Sequence, residues 1–202
     1  PQWENEIALL KLSALEDTAQ QMHWEAKAFL KQQGAHVWME IPVNGINSRI
    51  KIFNQSVGGK INYHFRPAFS VQGSTELFFA GYNQGDISLS GSIHLKPSNN
   101  WGFIAGVESF SQEPVYQLRK FDSNFGSWDN NSFKKINLIR VFGTISLDRI
   151  HTDLSISNQL ISNWVFMGLN ANPEQANSVL NLLRAEVSNK IRAPKWYRHT
   201  RI

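Results

Sequence analysis

The sequence has no cysteine and few charged residues. Without cysteine, the chain can form no disulfide, no thiolate zinc site and no cysteine nucleophile. Charged residues make up 18% of the 202 residues, against roughly 25% in ordinary soluble domains. The polar character comes instead from 19 Asn and 20 Ser residues. Because 42% of the residues are hydrophobic, the composition predicts a folded chain rather than a disordered one.

Long apolar runs are also missing. No run approaches the ~18 residues that a membrane-spanning helix needs. The first residues show no basic segment followed by an apolar one, as a secretory leader would. These features favour a soluble protein in the cytoplasm, with no membrane span, while a mature secreted chain is also compatible with them.

Positive charge is concentrated near the C-terminus. The net charge is +4, and five bases follow one another there with no acid between them: Lys190, Arg192, Lys195, Arg198 and Arg201. Without these five, 15 Lys and Arg residues face 16 Asp and Glu residues. The sequence therefore predicts a basic tail, residues 193–202, rather than a uniformly basic surface.

Two segments have the apolar spacing of amphipathic helices. In residues 4–33, apolar side chains recur at intervals of three and four from Ile7 to Leu30, which is typical of a helix with one buried stripe. In residues 173–192, Asn172 is a suitable N-cap and Pro173 a suitable first helical residue. We therefore expect an N-terminal and a C-terminal helix.

The region between them, residues 36–167, has the pattern of an antiparallel sheet. Short β-rich runs alternate with Gly and Pro. In residues 87–95, apolar side chains alternate with Ser or His, which predicts a strand with one wet face. The whole chain is thus expected to be a single α+β domain, residues 1–202, with a largely antiparallel β-sheet core flanked by the two helices.

One possible enzymatic function is that of a metal-dependent nuclease. Such a site needs acids that hold a divalent ion and a Lys that orients the attacking water. Asp86 begins a predicted strand, Lys96 ends it, and Glu108 is a further acid nearby. The residue two before Lys96 is a His rather than the Glu of the usual pattern, so the signature is weak. This alternative implies Mg²⁺; otherwise we expect no cofactor and no resident metal.

A loop rich in aromatic and amide side chains is the most distinctive candidate for ligand binding. Rings stack on sugars or bases, and amides bind their polar edges. The candidate residues are Phe125, Trp128 and Asn130 in this loop, and Trp101 in a smaller stretch of the same kind. They support a third alternative, a carbohydrate-binding or carbohydrate-active β-rich protein; the competing interpretation, which is somewhat favoured, is that the rings anchor the loop to the core.

The basic tail alternates cations with rings, since Trp196 and Tyr197 lie among the bases named above. This composition suits phosphate contacts with a nucleic acid or docking to an acidic protein. No catalytic motif stands out elsewhere. The leading interpretation is therefore a non-catalytic binding or assembly protein that engages a protein or nucleic-acid partner through the aromatic, Asn-rich surface and the tail.

Overall fold

A computed structural model describes residues 2–16, 22–41, 46–65, 68–123, 126–193 and 196–201 of the chain. Its described strands are β1 Gln2–Glu16, β2 Met22–Ile41, β3 Ile46–Phe65, β4 Phe69–Gly81, β5 Ile87–Ser98, β6 Trp101–Gln112, β7 Lys120–Ser123, β8 Gly126–Asp129, β9 Ile136–Leu147, β10 Thr152–Ser162, β11 Val165–Met167, β12 Pro173–Gln175, β13 Leu180–Ala193 and β14 Trp196–Arg201. A single α-helix, α1 at Tyr116–Arg119, and a 3₁₀ turn at Asp148–Ile150 are the helical elements of these ranges. No described helix has both the length and the apolar character needed to cross a membrane.

Ten strands form one antiparallel sheet in the order β1-β2-β3-β4-β5-β6-β9-β10-β13-β14. Each strand pairs with the next one along the chain, apart from two excursions. Residues 113–135 leave the sheet after β6 and carry α1 and the small hairpin of β7 and β8; residues 163–179 leave it after β10 and carry the small hairpin of β11 and β12. The topology is thus an up-and-down meander.

The prediction of an α+β fold with flanking helices is wrong. The described part of residues 4–33 belongs to β1 and β2, and in residues 173–192 the first three residues form β12 and residues 180–192 lie in β13. The helical spacing in the first segment has a specific cause. A bulge between Ala8 and Leu10 shifts the register, so that Ile7 and Leu10 pair with Leu30 and Ala28, which share one face of β2. Two apolar residues three apart therefore lie on the same side of a strand.

One face of the sheet is apolar and exposed, and we call it the apolar face. In β5, for example, Leu89 pairs with Thr75 and Ser109, whereas its neighbour Ser90 points to the other side. The exposed large side chains on the apolar face include Val57, Ile61, Leu77, Phe79, Ile87, Leu89, Ile93, Val107, Ile139, Val141, Ile145, Leu154, Ile156, Leu160, Leu183 and Val187. Among the side chains that the structure describes, only Phe29 and Pro114 are large, apolar and fully buried. The sheet therefore has almost no internal core.

The connections at the two ends of the sheet differ in length. At the short-turn end, β5 and β6 are joined by residues 99–100, and β9 and β10 by residues 148–151. At the long-loop end lie residues 82–86 and both excursions. The excursion after β6 reaches far across this end, because β7 lies next to β2, four strands away from β6 in the sheet.

Phe29 covers a glycine on the neighbouring strand. It pairs with Gly58, and a Cβ atom on Gly58 would collide with the Phe29 ring and lie 2.6 Å from the Thr75 carbonyl oxygen. Aromatic cover of a strand glycine is a known stabilising arrangement. Glycine is therefore required at this position by the close approach of the ring.

We expect Gly58→Ala to lower the free energy of unfolding by about 1–3 kcal/mol, the usual effect of overpacking. Gly59→Ala is the matched control, because its Cβ would have its nearest contact at 3.7 Å, the carbonyl oxygen of Lys27. Denaturant titration of both variants measures the difference. Equal midpoints for the two would contradict the packing described for Phe29.

Candidate functional site

The second face of the sheet carries rows of polar side chains, and we call it the polar face. Cross-strand pairing places its side chains in rows, because paired residues share a face. One row crosses eight strands and consists of Lys27, Lys60, Ser74, Ser90, Glu108, Arg140, Gln159 and Leu182. Most of its members are charged, hydroxyl or amide side chains, so this wall can bind water and polar solutes.

A cluster of opposite charges surrounds Phe29 at the β1–β4 side of the polar face. The Lys31 ammonium lies 3.3 Å from the Glu76 carboxylate, and Lys27 pairs with Glu6. Ser56 Oγ donates to Glu76 at 2.6 Å. The ammonium groups of Lys27, Lys31 and Lys60 lie 5.5–5.8 Å from the centroid of the Phe29 ring, within cation–π range.

Further ion pairs continue across the polar face. Arg140 contacts Glu108 at 3.3 Å, and Arg184 contacts Glu186 at 2.7 Å. The Arg140 guanidinium also lies over the Phe142 ring, 5.1 Å from its centroid. The wall thus carries charges of both signs, arranged in neighbouring pairs rather than as one large patch.

Histidines are concentrated in one row near the short-turn end. His23 on β2 pairs with His64 on β3, His64 with Ser70 on β4, and Ser70 with His94 on β5. The His23 and His64 rings stack with centroids 6.1 Å apart, and His94 Nε2 lies 3.1 Å from Ser92 Oγ. This row borders a depression of about 500 Å³ in the wall.

At the long-loop end, Asp86 holds the first excursion against the β4–β5 turn. Its side chain is 4% exposed and accepts hydrogen bonds from the Glu113 amide at 3.0 and 3.1 Å and from Lys135 Nζ at 2.7 Å. Lys135 Nζ also donates to the Gln84 carbonyl at 2.8 Å. The two ends of the excursion, residues 113 and 135, are therefore fixed to one turn.

Other side chains shape the excursion itself. Arg119 Nη1 lies 2.5 Å from Glu113 Oε2, and Tyr82 Oη donates to the Pro114 carbonyl at 2.5 Å. The second excursion is joined to the first by Gln175, whose side chain donates to the Lys134 carbonyl at 2.7 Å and accepts from the Lys134 amide at 2.8 Å. The connections of the long-loop end thus form one hydrogen-bonded assembly.

The Tyr82 phenol makes the stability of this assembly depend on pH in the alkaline range. Burial raises the pKa of Tyr82 above its ordinary value of 10, although Arg119 opposes the shift. Because the folded-state pKa exceeds the unfolded-state one, the contribution to stability is complete below about pH 10 and is lost as the pH rises through the folded-state value.

We expect Tyr82→Phe to be less stable at pH 8 by about 1 kcal/mol, for the lost hydrogen bond, and to lose less stability on alkaline titration. Unfolding midpoints between pH 8 and 12 test this; parallel curves would contradict it.

The structure does not bring the residues of the predicted nuclease site together. Asp86 precedes β5 and Lys96 lies near its other end, about 30 Å away at the rise of a strand. Asp86 pairs with Lys135, Lys96 with Asp148 at 3.0 Å, and Glu108 with Arg140. Among the described residues, no group of three or more His, Asp or Glu could hold a metal ion.

The predicted ligand-binding residues that the structure describes lie at the two ends of the sheet. Trp101 begins β6 at the short-turn end, whereas Trp128 and Asn130 lie at the long-loop end. Trp128 stacks on Phe121 with centroids 4.6 Å apart, and its Nε1 donates to the Gln117 carbonyl at 2.9 Å. Asn130 Nδ2 donates to the Leu118 and Pro173 carbonyls. The Trp128 ring and the Asn130 amide thus hold the excursion together. Phe125 lies outside the described residues.

The predicted basic tail is strand rather than tail over most of its length. Lys190 and Arg192 belong to β13, and Trp196, Tyr197, Arg198 and Arg201 to β14. The backbones of these two strands pair, for example Ile191 with Arg198. Lys195 lies outside the described residues. Sequence reasoning predicted the wet face of β5 from its Ser and His alternation, but it did not show that this face continues across the neighbouring strands.

The comparisons with known proteins give one finding. No curated protein and no solved structure matches the chain significantly. A family model described as "Putative porin" matches residues 2–202, which is nearly the whole sequence. This match, like the all-β architecture, overturns the α+β, nucleic-acid-binding and nuclease interpretations. The chain belongs to the family of that description.

Proposed function

We propose that the ten-stranded sheet is part of the membrane-spanning wall of a porin, through which small hydrophilic solutes pass. The apolar face would contact lipid, and the polar face would line the aqueous path. The observation that carries this proposal is the exposure of the apolar face. A soluble protein rarely exposes so large an apolar surface, whereas a porin wall requires it.

The dimensions of the strands support the same proposal. A tilted membrane-spanning strand needs about 9–11 residues, and β4, β5, β6, β9, β10 and β13 have 11 to 14. In hydrocarbon, every backbone group needs a partner within the protein. The continuous antiparallel pairing from β1 to β14 supplies such partners for the interior strands.

The connections add an independent argument. Porins of the outer-membrane type join their strands by short turns on one side of the membrane and by longer loops on the other. The short-turn and long-loop ends of this sheet differ in the same sense. We infer an outer-membrane location, in place of the cytoplasmic one expected from the sequence, with the long-loop end facing outward.

The other two interpretations from the sequence find less support. Trp128 and Asn130 of the predicted ligand loop are engaged in contacts within the first excursion, which disfavours their use as a platform for a glycan or a partner. The hydroxyl and amide groups of the aqueous path suit sugars among its solutes. The proposed role is therefore passage of solutes rather than assembly with a partner.

Conductance measurements test the proposal. The full chain is refolded into detergent and added to a planar bilayer in about 1 M KCl, which suppresses surface charge effects. We expect stepwise ohmic currents. Ser74→Trp, on the polar face, should lower the step size, and Thr75→Trp, on the opposite face of the same strand, should leave it unchanged. A chain that stays monodisperse without detergent and gives no current would overturn the proposal.

A further inference from the structure

We propose that the histidine row at the short-turn end is an anion-binding strip that selects small solutes bearing carboxylate or phosphate groups, and that it does so more strongly in acid. The strip consists of His23, His64 and His94 with Lys96. The inference rests on the proposed function, because the strip acts on passing solutes only if the polar face lines the path. Three of the six histidines of the chain lie in this row.

The geometry of the depression provides the site. It is lined by His64, Ser70, His94, Lys96, Ser146 and Asp148, among others, and holds about 500 Å³, within the range of small-molecule sites. His64 and His94 are two strands apart, about 10 Å. A small organic anion can therefore lie between imidazole N–H groups, with hydroxyl donors beside it.

The charge balance explains the dependence on pH. Lys96 and Asp148 form an ion pair whose side chains are 58% and 44% exposed, so their charges cancel and the pair is weak. Protonation of the His64 and His94 imidazoles would add positive charge to the depression, and the His23 ring lies beside that of His64.

The described elements around the row place three acids near these charges, and none of them lies in the row itself. β4 and β6 place Ser70 and Ile104 in the row, and β9 places Thr144 there. Among the described residues, the nearest carboxylates are Glu25, one row away on β2, Asp148 in the β9–β10 turn, and Asp153 on β10, which pairs with Ser146 at the edge of the depression. Lys60 lies two rows away on β3. The strip therefore gains net positive charge when its imidazoles are protonated.

Reversal potentials across a bilayer under a KCl gradient test the inference. With the full chain, the ratio of chloride to potassium permeability should rise on the order of threefold between pH 8 and pH 5, as local charge changes the concentration of counter-ions. The double variant His64→Gln/His94→Gln should lose most of this rise. His151→Asn is the matched control, because His151 lies at the same end in a left-handed turn conformation that Asn adopts readily.

A second readout separates this inference from the proposed function. In detergent at pH 5.5, inorganic phosphate or succinate should shift the imidazole NMR signals of His64 and His94, and not that of His151. Absence of any channel, with these shifts present, would overturn the porin proposal and retain the anion site. Channels whose selectivity is equal at both pH values, or shifts equal for all histidines, would overturn the anion strip.

Discussion

Ile93→Arg is expected to prevent the chain from reaching its folded state in a membrane, or to lower the free energy of unfolding there by about 2–4 kcal/mol. Ile93 lies in the middle of β5 on the apolar face, is 39% exposed, and pairs with Val71 and Ala105. A guanidinium at this position would lie in hydrocarbon if the apolar face contacts lipid. Urea titration of the chain in lipid vesicles measures the loss.

The matched control for this substitution is Ser92→Arg. Ser92 precedes Ile93 on the same strand and faces the opposite side, so the same charge would lie in water. Ser92 is half-buried and its Oγ lies 3.1 Å from His94 Nε2, so we expect a loss of only about 1 kcal/mol, for that hydrogen bond. An equal loss for both variants, or a loss at Ser92 alone, would contradict the assignment of the two faces.

Asp86→Ala is expected to release the first excursion from the mouth of the sheet. The substitution removes the acceptor of Glu113 N and the partner of Lys135. Breaking a buried ion pair typically costs about 3–5 kcal/mol; since the Lys135 side chain is 27% exposed, we expect the lower end of this range. The change should appear as faster tryptic cleavage after Arg119 and Lys120 in residues 113–135.

Gln84→Ala is the control for the release of the excursion. Gln84 belongs to the same turn, and its side chain is exposed. Lys135 Nζ donates to the backbone carbonyl oxygen of Gln84, and alanine retains that oxygen. Cleavage of this variant should match that of the unmodified chain. If Asp86→Ala also cleaves at the unmodified rate, Asp86 does not hold the excursion in place.

The strands of the middle region were predictable where alternation was regular. Residues 87–95 alternate apolar and hydroxyl or imidazole side chains, and they lie within β5. The pattern could not show which face is inside. In a soluble protein the apolar face is buried, so the sequence was interpreted that way. Here that face is exposed, and the ordinary rule for assigning a core gave the reverse of the observed arrangement.

The termini were mispredicted because bulges and long strands imitate helical spacing. Ile7 and Leu10 meet the i, i+3 rule only because the bulge after Ala8 brings them to one face. In β13, Leu183, Ala185 and Val187 alternate strictly against Asn158, Ile156 and Leu154. There the strand period was present, but Pro173 and Asn172 favoured a helix start.

The site residues were predicted less well, since they depend on distant partners. Asp86 was noticed as an acid at a strand start, but its partner Lys135 is 49 residues away. The row of His23, His64 and His94 arises from strand register, which depends on turn lengths and on pairing between strands. A single sequence contains these residues but does not indicate that they are neighbours.

The most direct test of the account is to determine which face of the sheet contacts lipid. Because the chain has no cysteine, Ile156→Cys and Ser155→Cys each introduce a unique label site, on the apolar and the polar face of β10. In vesicles, an environment-sensitive fluorophore at position 156 should emit in the blue and be quenched by spin-labelled lipid, and one at position 155 should be quenched by iodide. Lipid quenching at position 155 and iodide quenching at position 156 would contradict the proposed porin wall.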